Sequence, residues 1–98
     1  MQFVVTGYDV KDGGKLRAEH RPEHLEGLNS LVDGVVLSAG AFLDEEGNPA
    51  GSSMHMEFTS QEAFDAYLEN EPFAKYGVWE KIETHVLRQS ISNPSRES

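Results

Sequence analysis

Ser53-Met54-His55-Met56-Glu57-Phe58-Thr59 alternates strictly, with Met54, Met56 and Phe58 on one side and Ser53, His55, Glu57 and Thr59 on the other. A period of two is that of a β-strand with one buried face and one solvated face. Directly after it, Ser60-Gln61-Glu62-Ala63 reads as a helix start, because a serine hydroxyl satisfies a free backbone N–H of the first turn. Ala63, Phe64, Tyr67 and Leu68 then supply an apolar helical stripe. Glu71-Pro72-Phe73 breaks that helix, and Val78 to Leu87 forms a closing strand.

Upstream, Phe3 to Tyr8 is β-branched and aromatic, and Asp12-Gly13-Gly14 ends it in a flexible turn. From Lys15 to Val32 the residues Leu16, Leu25, Leu28, Leu31 and Val32 follow a helical period. Proline is well tolerated only in a helix's first turn. The spacing therefore predicts a short turn over Lys15 to Glu19, a kink or restart at Pro22, and a main helix running to about Val32. Asp33-Gly34 ends it, Val35 to Ala41 forms a second strand, and Asp44-Glu45-Glu46-Gly47-Asn48-Pro49 reads as a solvated loop whose charge is solubilising. Residues 1–88 form the domain. Residues 89–98 lack an apolar pattern and are expected to be a flexible C-terminal tail.

The order βαββαβ predicts an α+β, ferredoxin-like, four-stranded antiparallel sheet with both helices on one face. The other face then lacks a cover. Residues pointing away from the helices are expected to include several of Val4, Tyr8, Val36, Trp79 and Leu87, or their neighbours of the other parity, which is much exposed apolar area for a monomer. A two-fold homodimer, sheet against sheet, resolves this.

Of the 98 residues, 17 are acidic and 8 basic, a formal charge of −9. An extended phosphate backbone would be repelled, so nucleic acid is not an expected partner. The absence of cysteine removes disulfides, thiolate catalysis and soft metal clusters, and fits a cytoplasmic protein. The strand-like start Gln2-Phe3-Val4-Val5 has no basic leader, and no apolar run approaches the roughly 20 residues of a membrane span. No membrane partner is expected.

Arg17, Arg21 and His24 fall at i, i+4 and i+7, which places two guanidinium groups and an imidazole on one face of a continuous helix. Asp9 closes the strand just before. An imidazole titrating near neutrality is the usual proton shuttle, and a carboxylate fixes its tautomer and raises its basicity. If the helix begins near Pro22, its positive end acts on His24 in the opposite sense to Asp9. The same two residues also fit a structural tie between strand and helix. Arg17 and Arg21 suit a carboxylate or phenolate, and equally suit Glu19, Glu23 or Glu26. Ser38 and Gly40 offer a hydroxyl and a bare backbone on the second strand, where tight packing explains the glycine as well. His20 with His24, and His55 with Glu57, are chelating pairs but fall short of the three or four ligands of a zinc site, so no metal is expected. Met54 and Met56 read as core filler. Trp79 and Tyr76 are aromatic candidates for ligand contact, with interface packing the alternative for the tryptophan.

Taken in order, Asp9, Arg17, Arg21-Pro22-Glu23-His24-Leu25, Leu37-Ser38-Ala39-Gly40, Gly51-Ser52-Ser53, Pro72-Phe73 and Gly77-Val78 resemble the YciI-like (YCII-related) proteins over about Met1 to Leu87. The resemblance implies a dimeric α+β barrel in the broad class of muconolactone isomerases and small antibiotic-synthesis monooxygenases. It also implies a catalytic His/Asp pair, falling on His24 and Asp9. Three positions depart from the family pattern: Ala41 replaces a proline, Glu71-Pro72 replaces Asp-Pro, and His85-Val86 replaces Lys-Pro.

The resulting expectation is a homodimer using His24 and Asp9 for acid-base chemistry on a small polar, aromatic-type compound, with Arg17, Arg21, Ser38 and Gly40 lining the site. By family analogy the chemistry is of lyase or isomerase type and needs no cofactor. The alternatives are a non-catalytic module that senses a small anion in the same pocket, and a purely structural dimer.

Overall fold

The structure, a computed structural model, describes residues 1–93. Strand β1 (Gln2–Asp9) is followed by helix α1 (Gly14–Asn29), strands β2 (Gly34–Leu43) and β3 (Pro49–Phe58), helix α2 (Gln61–Asn70), a single turn α3 (Pro72–Lys75) and strand β4 (Trp79–Leu87). The sheet runs β2-β3-β1-β4, and every neighbouring pair is antiparallel. This is the ferredoxin-like α+β order. The C-terminal tail expected over residues 89–98 lies in part, at residues 94–98, outside the described residues; 88–93 form no regular element and are exposed.

Alternation in β3 places Met54, Met56 and Phe58 under the helices, and the partners Phe3 and Val5 of β1 lie beside them. Phe64 of α2 stacks on Phe3 with ring centroids 4.0 Å apart, and Phe73, Val78 and Trp79 complete the buried core. The α2 start follows the cap reading, with Ala63 N–H donating to Ser60 Oγ at 3.1 Å.

Helix α1 departs from the sequence expectation in two ways. It is continuous through Pro22, and it stops at Asn29 rather than Val32. An interior proline costs about 3 kcal/mol through its missing N–H and its ring. Here the helix is held on both sides of it, by Arg17 to Asp9 and by His24 to Glu71. At the far end Ser30 Oγ bonds back to Glu26 O at 2.8 Å, and Asp33 turns the chain at φ 57. Continuity also puts His24 mid-helix, so the dipole argument based on a start at Pro22 does not apply.

A bulge in β2 between Val36 and Ser38 inverts its parity. Val36 pairs with Met56 on the helix side, and beyond the bulge Ala39 and Ala41 take that side opposite Met54 and Ser52. A second irregularity at Tyr8/Asp9 sets Trp79 opposite Asp9. Of the five residues several of which are expected on the open face, Val36 and Trp79 are not there, and Trp79 is buried. Val4, Tyr8 and Leu87 do lie there, among Gln2, Thr6, His55 and Glu83.

The Trp79 indole lies across Gly7, where an added Cβ would come within 2.5 Å of its ring carbons. Gly7→Ala is expected to destabilise the fold by about 1–3 kcal/mol through overpacking. Urea unfolding with Trp79 fluorescence as probe checks this, and an unchanged midpoint would contradict the close approach.

Candidate functional site

Small side chains make the cavity. Below the first half of α1 the sheet presents Ala39, Ala41, Ala50 and Ser52, whereas further along the same face it presents Met54, Met56 and Phe58. The resulting cavity of about 890 Å³ is bounded by Asp9, Arg17, Arg21 and His24, with Asp44, Glu46 and Asn48 of the β2–β3 loop at its mouth. Those loop residues, read as merely solubilising, help shape the opening. Asp44 fixes their backbone by accepting from the N–H groups of Glu46 and Asn48, each at 2.9 Å.

Helix α1 meets the sheet through an arginine and a histidine. Arg17 is 9% exposed and His24 6%, the only two buried residues of the helix. Arg17 Nη1 donates to both Asp9 oxygens at 2.9 Å, and Nη2 donates to Ser52 Oγ at 2.8 Å. Its guanidinium also lies over the Phe73 ring, 4.8 Å from the centroid. Trp79 Nε1–H donates to the same Ser52 oxygen at 3.3 Å. Arg17 is thus tied into the wall of the cavity. Among the described residues Arg21 carries no carboxylate partner, and it borders the same space.

The direct His24–Asp9 pair expected from the sequence is not what the side chains form. Asp9 is engaged by Arg17, and His24 Nδ1 meets Glu71 Oε1 at 2.5 Å, while its ring stacks on Phe73 at 4.0 Å. Glu71 is 1% exposed. It ends α2 and caps α3, accepting Phe73 N–H at 3.1 Å on Oε1 and the Tyr67 hydroxyl at 2.5 Å on Oε2. A carboxylate accepts, so this contact assigns the hydrogen to Nδ1, and the neutral ring in that tautomer has its lone pair on Nε2. His24 and Asp9 still border one cavity, with Arg17 between their roles.

Ser38 lies outside this cavity: it is exposed and paired with His55 on the open face, because the bulge reversed its parity. Gly40 borders the cavity. His20 stacks on Tyr76 at 4.3 Å rather than converging with His24. Among the described residues no group of three or more His, Cys, Asp or Glu is placed to hold a metal ion, and no helix is long and apolar enough to cross a membrane. The sequence reads Glu71, Ser52 and Tyr67 as a helix break, a strand start and an apolar-stripe residue, not as site residues. The cap position Glu71-Pro72 was the available signal for the first.

Burial pushes the Tyr67 phenol well above its ordinary value of 10.0, and the Glu71 carboxylate adds to the effect. A group whose protonated form is favoured by folding stabilises fully below its unfolded value. That contribution is lost as pH rises beyond it. Stability is therefore expected to fall above about pH 10 with a slope of up to about 1.4 kcal/mol per pH unit. Tyr67→Phe should flatten this slope in urea unfolding series, and an identical slope in the variant would count against it.

A ferredoxin-like α+β protein with a one-sided cavity and a buried histidine–carboxylate pair is the class that fold and site define. The YCII-related domain profile matches residues 1–87, and the chain belongs to that family. Protein YciI of Escherichia coli O6:H1 and that of Shigella flexneri are each 33% identical over 89 residues, covering 84% of this chain and 91% of theirs. Among solved structures, the chain is similar to 5-chloro-2-hydroxyhydroquinone dehydrochlorinase (TftG) from Burkholderia phenoliruptrix AC1100 in complex with 2,5-dihydroxybenzoquinone. The TM-score is 0.79 at 22% identity, covering 92% of this chain and 96% of that one. An antibiotic biosynthesis monooxygenase-type protein from Bacteroides thetaiotaomicron gives a TM-score of 0.61 at 13% identity, over 93% and 90% of the two chains. At these identities the structural likenesses speak to fold.

Proposed function

We propose that this YciI-like protein is a small-molecule enzyme that uses His24 as a general acid-base on an oxygenated aromatic or quinonoid compound. The observation that carries the reading is the arrangement around His24. Nδ1 is held by a buried carboxylate, which leaves Nε2 as the base nitrogen. Glu71 thus performs the orienting role that the sequence assigned to Asp9. Asp9 instead positions Arg17. Arg21 is the cation available to an anionic substrate group, and Gly40 contributes only backbone to the cavity wall, its missing Cβ lying on the open face of the sheet.

Elimination of hydrogen chloride requires removal of a proton as chloride departs, and a neutral imidazole beside an aromatic wall suits that step. The dehydrochlorinase similar in fold supplies the probe. Chloride release from 5-chloro-2-hydroxyhydroquinone should be catalysed by the wild-type protein and fall about a hundredfold to ten-thousandfold in His24→Gln. Equal turnover in the variant would overturn the assignment. Binding that weakens without any turnover in either protein would favour the non-catalytic sensing module.

The homodimer belongs to this proposal. Val4, Tyr8, Val35, Phe42 and Leu87 lie on the sheet face that no helix covers, and a second copy packed there two-fold would cover them. Sedimentation of the purified chain should give twice the monomer mass, and a stable monomer would exclude the dimer.

A further inference from the structure

A serine hydroxyl has one donor hydrogen and two acceptor lone pairs. On Ser52 both lone pairs are engaged, by Arg17 Nη2–H at 2.8 Å and by Trp79 Nε1–H at 3.3 Å. Neither bond can run in reverse, because guanidinium and indole N–H groups only donate. The hydroxyl hydrogen is left over. Among the described residues the hydrogen bonds of Ser52 are these two, and no acceptor takes that hydrogen. The side chain is 2% exposed and borders the cavity, so the cavity is where its donor is available. Of its neighbours across the sheet, Gly7 is covered by the Trp79 indole, and Ala41 on the other side is too small to fill the space beside it, which is the cavity.

Two consequences follow from this accounting. The direction of the hydroxyl is set by its two donors rather than by free rotation, so the site is preorganised. Its electron density is drawn toward the Arg17 cation, which makes the remaining O–H a stronger donor. A group that can only donate requires an acceptor, and a phenolate or a quinone carbonyl oxygen supplies one.

We infer that Ser52 is a ligand-binding residue, its hydroxyl donating to a phenolate or carbonyl oxygen of a small aromatic compound, with Arg17 and Trp79 fixing its aim. The inference deepens the proposed reading and rests on the cavity being a small-molecule site. It does not require His24 to act as a base.

The probes are 4-nitrophenolate, which carries the acceptor, and nitrobenzene, which lacks it, titrated calorimetrically against the wild-type protein, Ser52→Ala and Ser52→Cys. The wild-type protein should prefer 4-nitrophenolate. Ser52→Ala should lose about tenfold to a hundredfold in affinity for it, the worth of one hydrogen bond to a charged oxygen, with nitrobenzene unaffected. Ser52→Cys keeps an acceptor for Arg17 and Trp79 but donates weakly, and should fall between. Near-ultraviolet circular dichroism of Trp79 reports folding, and if the alanine variant unfolds the cysteine variant decides.

A folded variant that binds 4-nitrophenolate as tightly as wild type overturns the inference. So does a wild-type protein that fails to bind it or binds nitrobenzene equally well. His24→Gln separates the two proposals: Ser52-dependent binding that persists while chloride release is unaffected by His24→Gln sinks the acid-base reading and leaves Ser52 standing.

Discussion

Glu71→Ala is expected to destabilise the fold by about 3–5 kcal/mol, the range for removing one partner of a buried charged network. Three donors converge on this carboxylate: His24 Nδ1–H, the Tyr67 hydroxyl and Phe73 N–H. His24 and Phe73 are buried and Tyr67 is partly so, and alanine leaves their donors without this acceptor. The loss also loosens the junction of α2 and α3, since Glu71 is the last residue before Pro72 and its side chain caps the turn. Glu71→Gln separates the charge from the shape. It keeps an oxygen for two of the donors, so it should cost less than alanine while placing an amide N–H against His24 or Tyr67. With the oxygen facing His24 and Phe73 the amide meets Tyr67 and the ring keeps its hydrogen on Nδ1; with the amide facing His24 the ring loses its reason to do so, and its nitrogen-15 shifts move toward the other tautomer. Urea unfolding measures the first effect and NMR the second. An alanine variant as stable as wild type would show that the three donors find other partners.

Much of the fold could be read from the chain because its signals are local. The β3 alternation, the Ser60 cap and the Glu71-Pro72 break each depend on neighbours within a few residues, and each is where the sequence put it. Helix α1 was harder for a physical reason. The side that packs on the sheet carries Arg17 and His24, so the hydrophobic pattern that normally marks a buried face is weak, and Pro22 argues for a break that tertiary contacts override. The candidate site shows the same division. Spacing alone put Arg17, Arg21 and His24 on one face, and all three border the cavity. Which acid each cation meets depends on elements distant in sequence: Glu71 lies 47 positions from His24, and Ser52 lies 35 from Arg17. Ser38 was misplaced by a single bulged residue, which no propensity reveals.

Arg17 should be the second costly position, and a double-mutant cycle with Asp9 shows why. Arg17→Met leaves the Asp9 carboxylate, 6% exposed, without its two hydrogen bonds, and should cost about 3–5 kcal/mol. Asp9→Asn leaves a buried guanidinium that still holds Ser52 and the Phe73 ring, so it should cost less. The double variant removes both charges together. Because replacing a buried pair by apolar or neutral groups is often close to neutral, its total loss should be well below the sum of the two single losses, a coupling of about 1–3 kcal/mol. Simple additivity in urea unfolding would mean that the two side chains do not act as a unit. The cycle also bears on ligand binding, since an arginine already neutralised by Asp9 attracts an anion less than a free one. Arg21, which has no such partner among the described residues, should carry the electrostatic contribution. On this reasoning Arg21→Met weakens 4-nitrophenolate binding with little change in stability, because exposed charges contribute about 0–1 kcal/mol to folding. The two arginines of one helix turn then separate into a structural member and a ligand-facing member, and a large stability loss in Arg21→Met would reject that division.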